Sequence, residues 1–289
     1  MYYYIYDSFL ENPKYRKILD RVEIRLADLS ISGEASHVRP LRNLEEIVLE
    51  GLNQGKRTII AVGNDQTLKQ VARAVLRQKN VPLSDLTIGI IPVGKPNFIS
   101  QGLGVPGFDA ACEIISGRII RIIDLGQVNH ESFLTCASLG FGSRKRDRNR
   151  RGHLSRYRSL RYRPQEIIFK IDDQFQIRLD LFQANFINLS LTKAALPLAN
   201  PCDGILNVLI TAKLSRFSLW KSKKLIEAGK YALLPKTSIF QAKKIEIIPP
   251  RRKKVNIFGD FKKISRAPAI ISISPQKLRM IVGKERTFE

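Results

Sequence analysis

The sequence is poor in the residues that build covalent or metal frameworks. Its three cysteines, Cys112, Cys136 and Cys202, stand far apart with no C-x-x-C pair, and only His37, His130 and His153 are present to join them. That scarcity argues against a disulfide framework and against a structural zinc site. Long apolar runs are missing too, so no stretch reaches the ~20 residues that a membrane-spanning helix needs. The start, Met1-Tyr2-Tyr3-Tyr4-Ile5-Tyr6-Asp7, has no basic n-region of a secretory signal. These absences point to a cytoplasmic protein, at most peripheral to the inner face of a membrane. Acidic residues are also in short supply, 26 against 49 lysines and arginines, for a net charge of +23. Such a field attracts phosphates, nucleic acid or anionic lipid headgroups without naming a reaction.

What is present is a globular chain of 289 residues, 44% hydrophobic, long enough for two modest domains. Residues 2–6 read as a strand, 15–29 as a helix with apolar Ile18, Leu19, Val22 and Leu26, and 41–52 as a second helix. Residues 57–62 form a β-branched run typical of a buried parallel strand, and Leu68, Val71, Ala72, Val75 and Leu76 then fall on one helical face. A further strand at 86–91 and a short helix at 98–103 repeat the unit, and alternation of this kind predicts a parallel sheet. Beyond residue 124 the pattern changes to strands at 133–141, 166–171, 175–191, 205–211 and 238–248, interrupted by one helix at 217–234. The expected architecture is α/β: an α/β domain over 1–126, to which a strand at about 270–289 returns, and a β-rich domain over 127–269. One segment stands out by composition, residues 144–163, dense in arginine from Arg144 to Arg163.

Two strand-to-helix junctions carry the chemistry. Val62-Gly63-Asn64-Asp65-Gln66-Thr67 sits where backbone N–H groups and a helix N-terminus face whatever lies above the sheet, an arrangement that holds phosphate. The same junction reads equally well as a turn at Gly63 with Asp65 or Thr67 as helix cap. Pro92-Val93-Gly94-Lys95-Pro96-Asn97-Phe98 repeats the placement one unit later, and two such loops side by side make a crevice. Two apparent motifs are decoys. The G-x-x-x-x-G-K match ending at Lys95 has proline where the metal-binding hydroxyl belongs, and the G-x-G-x-x-G match starting at Gly102 follows a helix and contains Pro106.

Taken in order, these pieces resemble the diacylglycerol-kinase-like lipid kinases, related in fold to NAD kinases and sphingosine kinases, over nearly the whole chain. Residues 62–67 stand where that family has G-G-D-G-T, and 92–98 where it has P-x-G-T-x-N-D. Ile123-Asp124-Leu125-Gly126 and the stretch from Ala137 to Gly142 are similar to its V-D-L-G and S-x-G-F-D segments. Residues 201–208 are similar to its D-D-G-x-L-D-V stretch, and Phe258-Gly259-Asp260 falls on its D-G-E. The resemblance implies a three-layer α/β/α nucleotide domain, a C-terminal β-sandwich, and ATP with Mg2+ in a cleft between them. It would place Gly63, Asn64, Thr67, Gly94, Lys95 and Asn97 at the nucleotide, Asp65 near the phosphates or metal, and Asp260 near the acceptor hydroxyl. Asp203 would be metal-associated, although Asp203-Gly204 also reads as a plain turn before a strand.

The departures fall on chemistry. Asn64 and Gln66 replace loop glycines whose missing side chains would let backbone approach phosphate, Lys95 replaces a threonine, Phe98 an aspartate, and Phe258 stands at the position of the family's general base. Two readings therefore stay open: a lipid kinase acting on a lipid alcohol such as diacylglycerol, with altered motifs, and a catalytically inactive nucleotide-binding relative. A basic nucleic-acid-binding protein ranks below both, because no nucleic-acid motif accompanies the charge. The arginine segment, residues 144–163, suits an anionic membrane surface, and a homodimer is compatible with the sequence.

Overall fold

The computed structural model describes residues 1–39, 42–141, 163–191, 198–250, 255–260 and 262–288. The chain divides into two units. The first comprises Met1–Asp124, Leu191–Lys193 and Gln276–Glu289, and the second Leu125–Ser190 and Ala194–Pro275.

In the first unit, β1 (Tyr2–Tyr6) pairs with β2 (Glu34–His37) and β3 (Thr58–Gly63), β3 pairs with β4 (Thr87–Pro92), and β4 takes the end of the last strand, β15 (Ala269–Ile281), as its other neighbour. These four pairings are parallel. β3 and β4 are buried at each residue, which explains why both appear in the sequence as apolar runs rich in β-branched residues. Side-chain alternation along β1 shows what covers the two faces. The Tyr2 hydroxyl donates to the Ile115 carbonyl in α5 (Phe108–Gly117) at 3.3 Å, and the hydroxyl of the next residue, Tyr3, donates to the Ile47 carbonyl in α2 (Leu44–Asn53) at 3.4 Å. Helices thus lie on opposite faces, giving the expected three layers. α1 (Arg16–Asp28) buries Val22 and Leu26 and pairs with α5 through Arg21–Asp109 at 3.0 Å and Arg25–Glu113 at 2.7 Å. Both pairs are exposed and orient the helices more than they stabilise them. α2 starts three residues later than its apolar pattern suggested, because Asn43 and Glu46 close a capping box there.

The second unit is antiparallel throughout. Its strands are β5 (Ile120–Val128), which begins in the first unit, β6 (Glu131–Phe133), β7 (Cys136–Gly140), β8 (Gln165–Ile171), β9 (Phe175–Ile187), β10 (Leu206–Ala212), β11 (Thr237–Ala242), β12 (Lys244–Ile248), β13 (Val255–Gly259), β14 (Lys262–Ala267) and the first part of β15. β9 organises them. Its N-terminal half pairs with β8, and its C-terminal half lies between β7 and β10. Alternate residues, among them Phe133, Phe169, Phe186, Val208, Ile247 and Ile257, fill one apolar core.

Three stretches of the second unit that the sequence reads as single elements are divided, each for a local reason. The single strand expected at 133–141 is two strands, interrupted at Leu134 and Thr135. The strand expected at 238–248 breaks at Lys243, whose N–H turns to Asp172 Oδ1 at 2.9 Å. The helix expected at 217–234 is two short helices, α6 (Arg216–Lys221) and α7 (Lys223–Ala228), broken at Ser222 and stopped by Gly229 at φ 74°. A small apolar cluster of Phe182, Leu219, Ile226 and Leu234 lies beneath them, with Phe141 stacked on Phe182 at 5.1 Å. Of the arginine segment only Arg163 is described; residues 144–162 lie outside the described residues. Among the described residues no helix is long and apolar enough to cross a membrane.

Candidate functional site

The first loop joins β3 to α3 (Asp65–Arg77), with Asn64 as N-cap. The Asn64 side chain accepts from the Gln66 N–H at 2.8 Å and from the Thr67 N–H. The Asn64 N–H donates to Thr67 Oγ1 at 3.1 Å, and the Asp65 N–H donates to the Pro96 carbonyl at 3.0 Å. Each N–H from Asn64 to Thr67 therefore already has an acceptor within the chain. Of the two readings of this junction, the cap is what the hydrogen bonds form, and the Asn64 amide oxygen stands where an anion's oxygen would be received. The buried Thr67 hydroxyl donates onward to Asp7 Oδ2 at 2.6 Å. Asp7 carried no sequence signal, since its partner lies 60 residues away.

Gly63 is required by this arrangement. A Cβ there would sit 2.3 Å from Thr67 Oγ1. Gly63→Ala should push Thr67 away from both Asp7 and the Asn64 N–H and cost about 2 kcal/mol, the range of a lost buried network plus overpacking, measurable by urea unfolding.

The second loop joins β4 to α4 (Phe98–Gly102) and lies beside the first, because the Val93 N–H donates to the Gly63 carbonyl at 2.8 Å. Gly94 has φ 81°, and a Cβ on it would meet the Phe9 ring at 2.8 Å. Lys95 is exposed. The Asn97 Nδ2 donates to the Gly94 carbonyl at 2.6 Å, and its Oδ1 is buried with no partner among the described residues. Asp65 ties the two loops together. It is 4% exposed, and its carboxylate accepts from the Phe98 N–H at 2.8 Å and the Ile99 N–H at 2.9 Å, the first turn of α4. Burial pushes its carboxyl above the usual carboxylate range, opposed by these two N–H groups and by the nearby Lys69 charge.

In the second unit, Asp260 follows β13 with φ 49°. Its Oδ2 accepts from the Leu134 N–H at 2.9 Å, and its Oδ1 accepts from the Thr135 N–H at 2.9 Å and the Thr135 hydroxyl at 2.5 Å. This carboxylate closes the break between β6 and β7. Asp203 Oδ1 accepts the Ile205 N–H at 2.9 Å, the Asx turn that leads into β10. Phe258 is paired with Ser138, which pairs with Asn185. Gln183 donates to Asn185 Oδ1 at 2.9 Å, and Asn207, 4% exposed, has an Nδ2 with no partner among the described residues. Sequence reasoning missed this polar strip on the sheet face opposite the core, although polar residues alternating with core positions along β9 and β10 were its signal.

Among the described residues no three aspartates, glutamates, histidines or cysteines are placed together to hold a metal ion. With Asp65 and Asp260 engaged by backbone donors and Asp203 Oδ1 in a turn, the described residues do not fit a magnesium site built by the protein alone. At the second loop Lys95 offers an exposed charge, and Asn97 Oδ1 is buried without a partner among the described residues.

Fold and paired loops define a chain in which an α/β/α unit of nucleotide-binding type accompanies a β-sandwich-like unit. The family described as "Diacylglycerol kinase catalytic domain" matches residues 3–128, and "YegS C-terminal NAD kinase beta sandwich-like domain" matches residues 155–282. The chain belongs to the diacylglycerol-kinase-like lipid kinase family. Over 98 residues it is 38% identical to a Pseudomonas aeruginosa protein named "Probable lipid kinase YegS-like", a match covering 34% of this chain and 31% of that relative. The match thus spans less than a third of that relative's length. It is 27% identical over 271 residues to a Mycobacterium tuberculosis protein named "Diacylglycerol kinase", covering 87% of this chain and 83% of the relative. A crystal structure of a diacylglycerol kinase from Bacillus anthracis superposes with a TM-score of 0.71 at 16% identity, covering 98% of this chain and 97% of that one, a likeness of fold.

Proposed function

We propose that this chain is an ATP-dependent lipid kinase that phosphorylates the hydroxyl of a lipid alcohol such as diacylglycerol. The observation that carries the reading is the order of the two matched family domains together with the paired loops, an exposed lysine and a buried, unpartnered acceptor at the second of them. In this reading residues 1–126 and the returning C-terminal strand handle nucleotide, and residues 127–269 handle the lipid. Bound ATP supplies the transferable phosphoryl group. Lys95 neutralises phosphate charge as a mobile point charge. Asn97 fixes the second loop through its bond to the Gly94 carbonyl, while Gly63, Asn64 and Thr67 hold the shape of the first loop. Asp65 and Asp260 act as positioning residues. In this reading the acceptor proton leaves to solvent, and the chain contributes alignment and charge, the main resources of phosphoryl transfer. The basic stretch 144–163 is assigned to an anionic membrane surface.

Transfer of labelled γ-phosphate from Mg-ATP to diacylglycerol in mixed micelles tests this. Labelled phosphatidic acid should form, and Lys95→Ala should raise KM for ATP about tenfold, the worth of one phosphate contact. The internally bonded N–H groups of the first loop favour a second reading, a relative that binds nucleotide without turnover. Absence of product at every enzyme concentration, with nucleotide binding retained, would establish it.

A further inference from the structure

We propose that the short helix α6 is an interfacial anchor that inserts Phe217 and Trp220 into an anionic lipid bilayer. Its six residues divide cleanly. Leu219 points into the apolar cluster with Phe182 and Ile226, whereas Phe217 and Trp220 are 71% and 72% exposed, with ring centroids 6.2 Å apart. Large rings this exposed on neighbouring turns have no role in the fold, and contiguous exposed apolar surface marks an interaction site. Tryptophan favours the membrane–water boundary, where its ring meets apolar chains and its N–H meets headgroups.

Charge selects the occupant. Residues 213–236 carry seven lysines and arginines and one acid, Glu227. Glu227 lies 4.0 Å from Lys223, and Lys213 faces Asp180 at 3.7 Å. Arg216, Lys221, Lys224, Lys230 and Lys236 are exposed on the same stretch of chain. An exposed apolar pair within a basic stretch is complementary to a bilayer with anionic headgroups, whose field acts on each cation near its surface. The base of the anchor is rigid: Ser215 caps α6 through the Ser218 N–H at 3.1 Å, and Gly229 stops α7. The inference rests on the lipid-kinase reading for its purpose alone, since a lipid acceptor lies in a bilayer.

Trp220 is the one tryptophan of the chain and reports its own surroundings. Vesicles of phosphatidylcholine and phosphatidylglycerol, free of any phosphate acceptor, should shift its emission to the blue, and brominated acyl chains should quench it. Phosphatidylcholine vesicles should do neither at the same concentration. Phe217→Ser should weaken binding to the anionic vesicles about tenfold and leave turnover of a water-soluble, short-chain diacylglycerol unchanged. Sedimentation with vesicles without a change in emission would show docking through other basic residues and overturn the proposal. So would an equal shift with RNA or with no vesicle at all. Loss of all kinase activity with the vesicle-induced shift intact would instead sink the kinase reading and leave the anchor standing.

Discussion

Asp260→Ala should cost about 3 kcal/mol of folding stability, read by urea unfolding. Leu134 and Thr135 are 3% and 1% exposed, so removing the carboxylate strands two buried N–H groups and a hydroxyl that water does not reach. Each orphaned buried donor costs roughly 1–3 kcal/mol, and partial relaxation keeps the sum near the lower end. The catalytic alternative makes a different prediction. A general base at Asp260 would give an acidic limb in the pH–rate profile that disappears in Asp260→Asn. A positioning residue leaves the profile of the folded fraction unchanged and lowers activity only as the unit loosens.

Asp65→Ala should be comparably damaging, about 2–4 kcal/mol, because the carboxylate is the acceptor for the first turn of α4 and is buried where nothing replaces it. Its pH dependence has a definite sign. With the folded carboxyl held above its ordinary value by burial, the unfolded chain ionises first as pH rises. Stability contributed by Asp65 is therefore full below the ordinary carboxylate range, declines as pH rises toward the raised folded value, and is level above it. Asp65→Asn should remove that decline while still losing one bond, since its amide NH2 faces an N–H donor. Unfolding series across this window on both chains measure the difference.

Local signals made much of the fold legible. β1 matches residues 2–6, and the loops at Gly63 and Gly94 fall at strand-to-helix junctions as expected, because burial of β3 and β4 on both faces leaves apolar runs rich in β-branched residues. β2 was missed for the converse reason: Glu34-Ala35-Ser36-His37 lies mostly exposed at the sheet edge and shows no apolar alternation. The partners of Asp65 and Asp260 cannot be read from the sequence. Asp65 bonds backbone 33 residues away and Asp260 backbone 125 away, and a backbone N–H has no letter in a sequence. Likewise Ser222, which divides α6 from α7, is an ordinary helix residue until the packing of Leu219 and Ile226 requires two axes.

The last strand gives the chain a problem of timing. β4 has β3 on one side and, on the other, Arg279 and Met280 of β15. Between them in the sequence stands nearly all of the second unit. On the ribosome, the N-terminal sheet must therefore wait with the edge of a fully buried strand open, an interval on the order of ten seconds or longer at ~5–20 residues per second. An apolar edge exposed that long is a template for wrong pairing, so the nascent chain's demand for chaperones falls on its first half while its last half is being made.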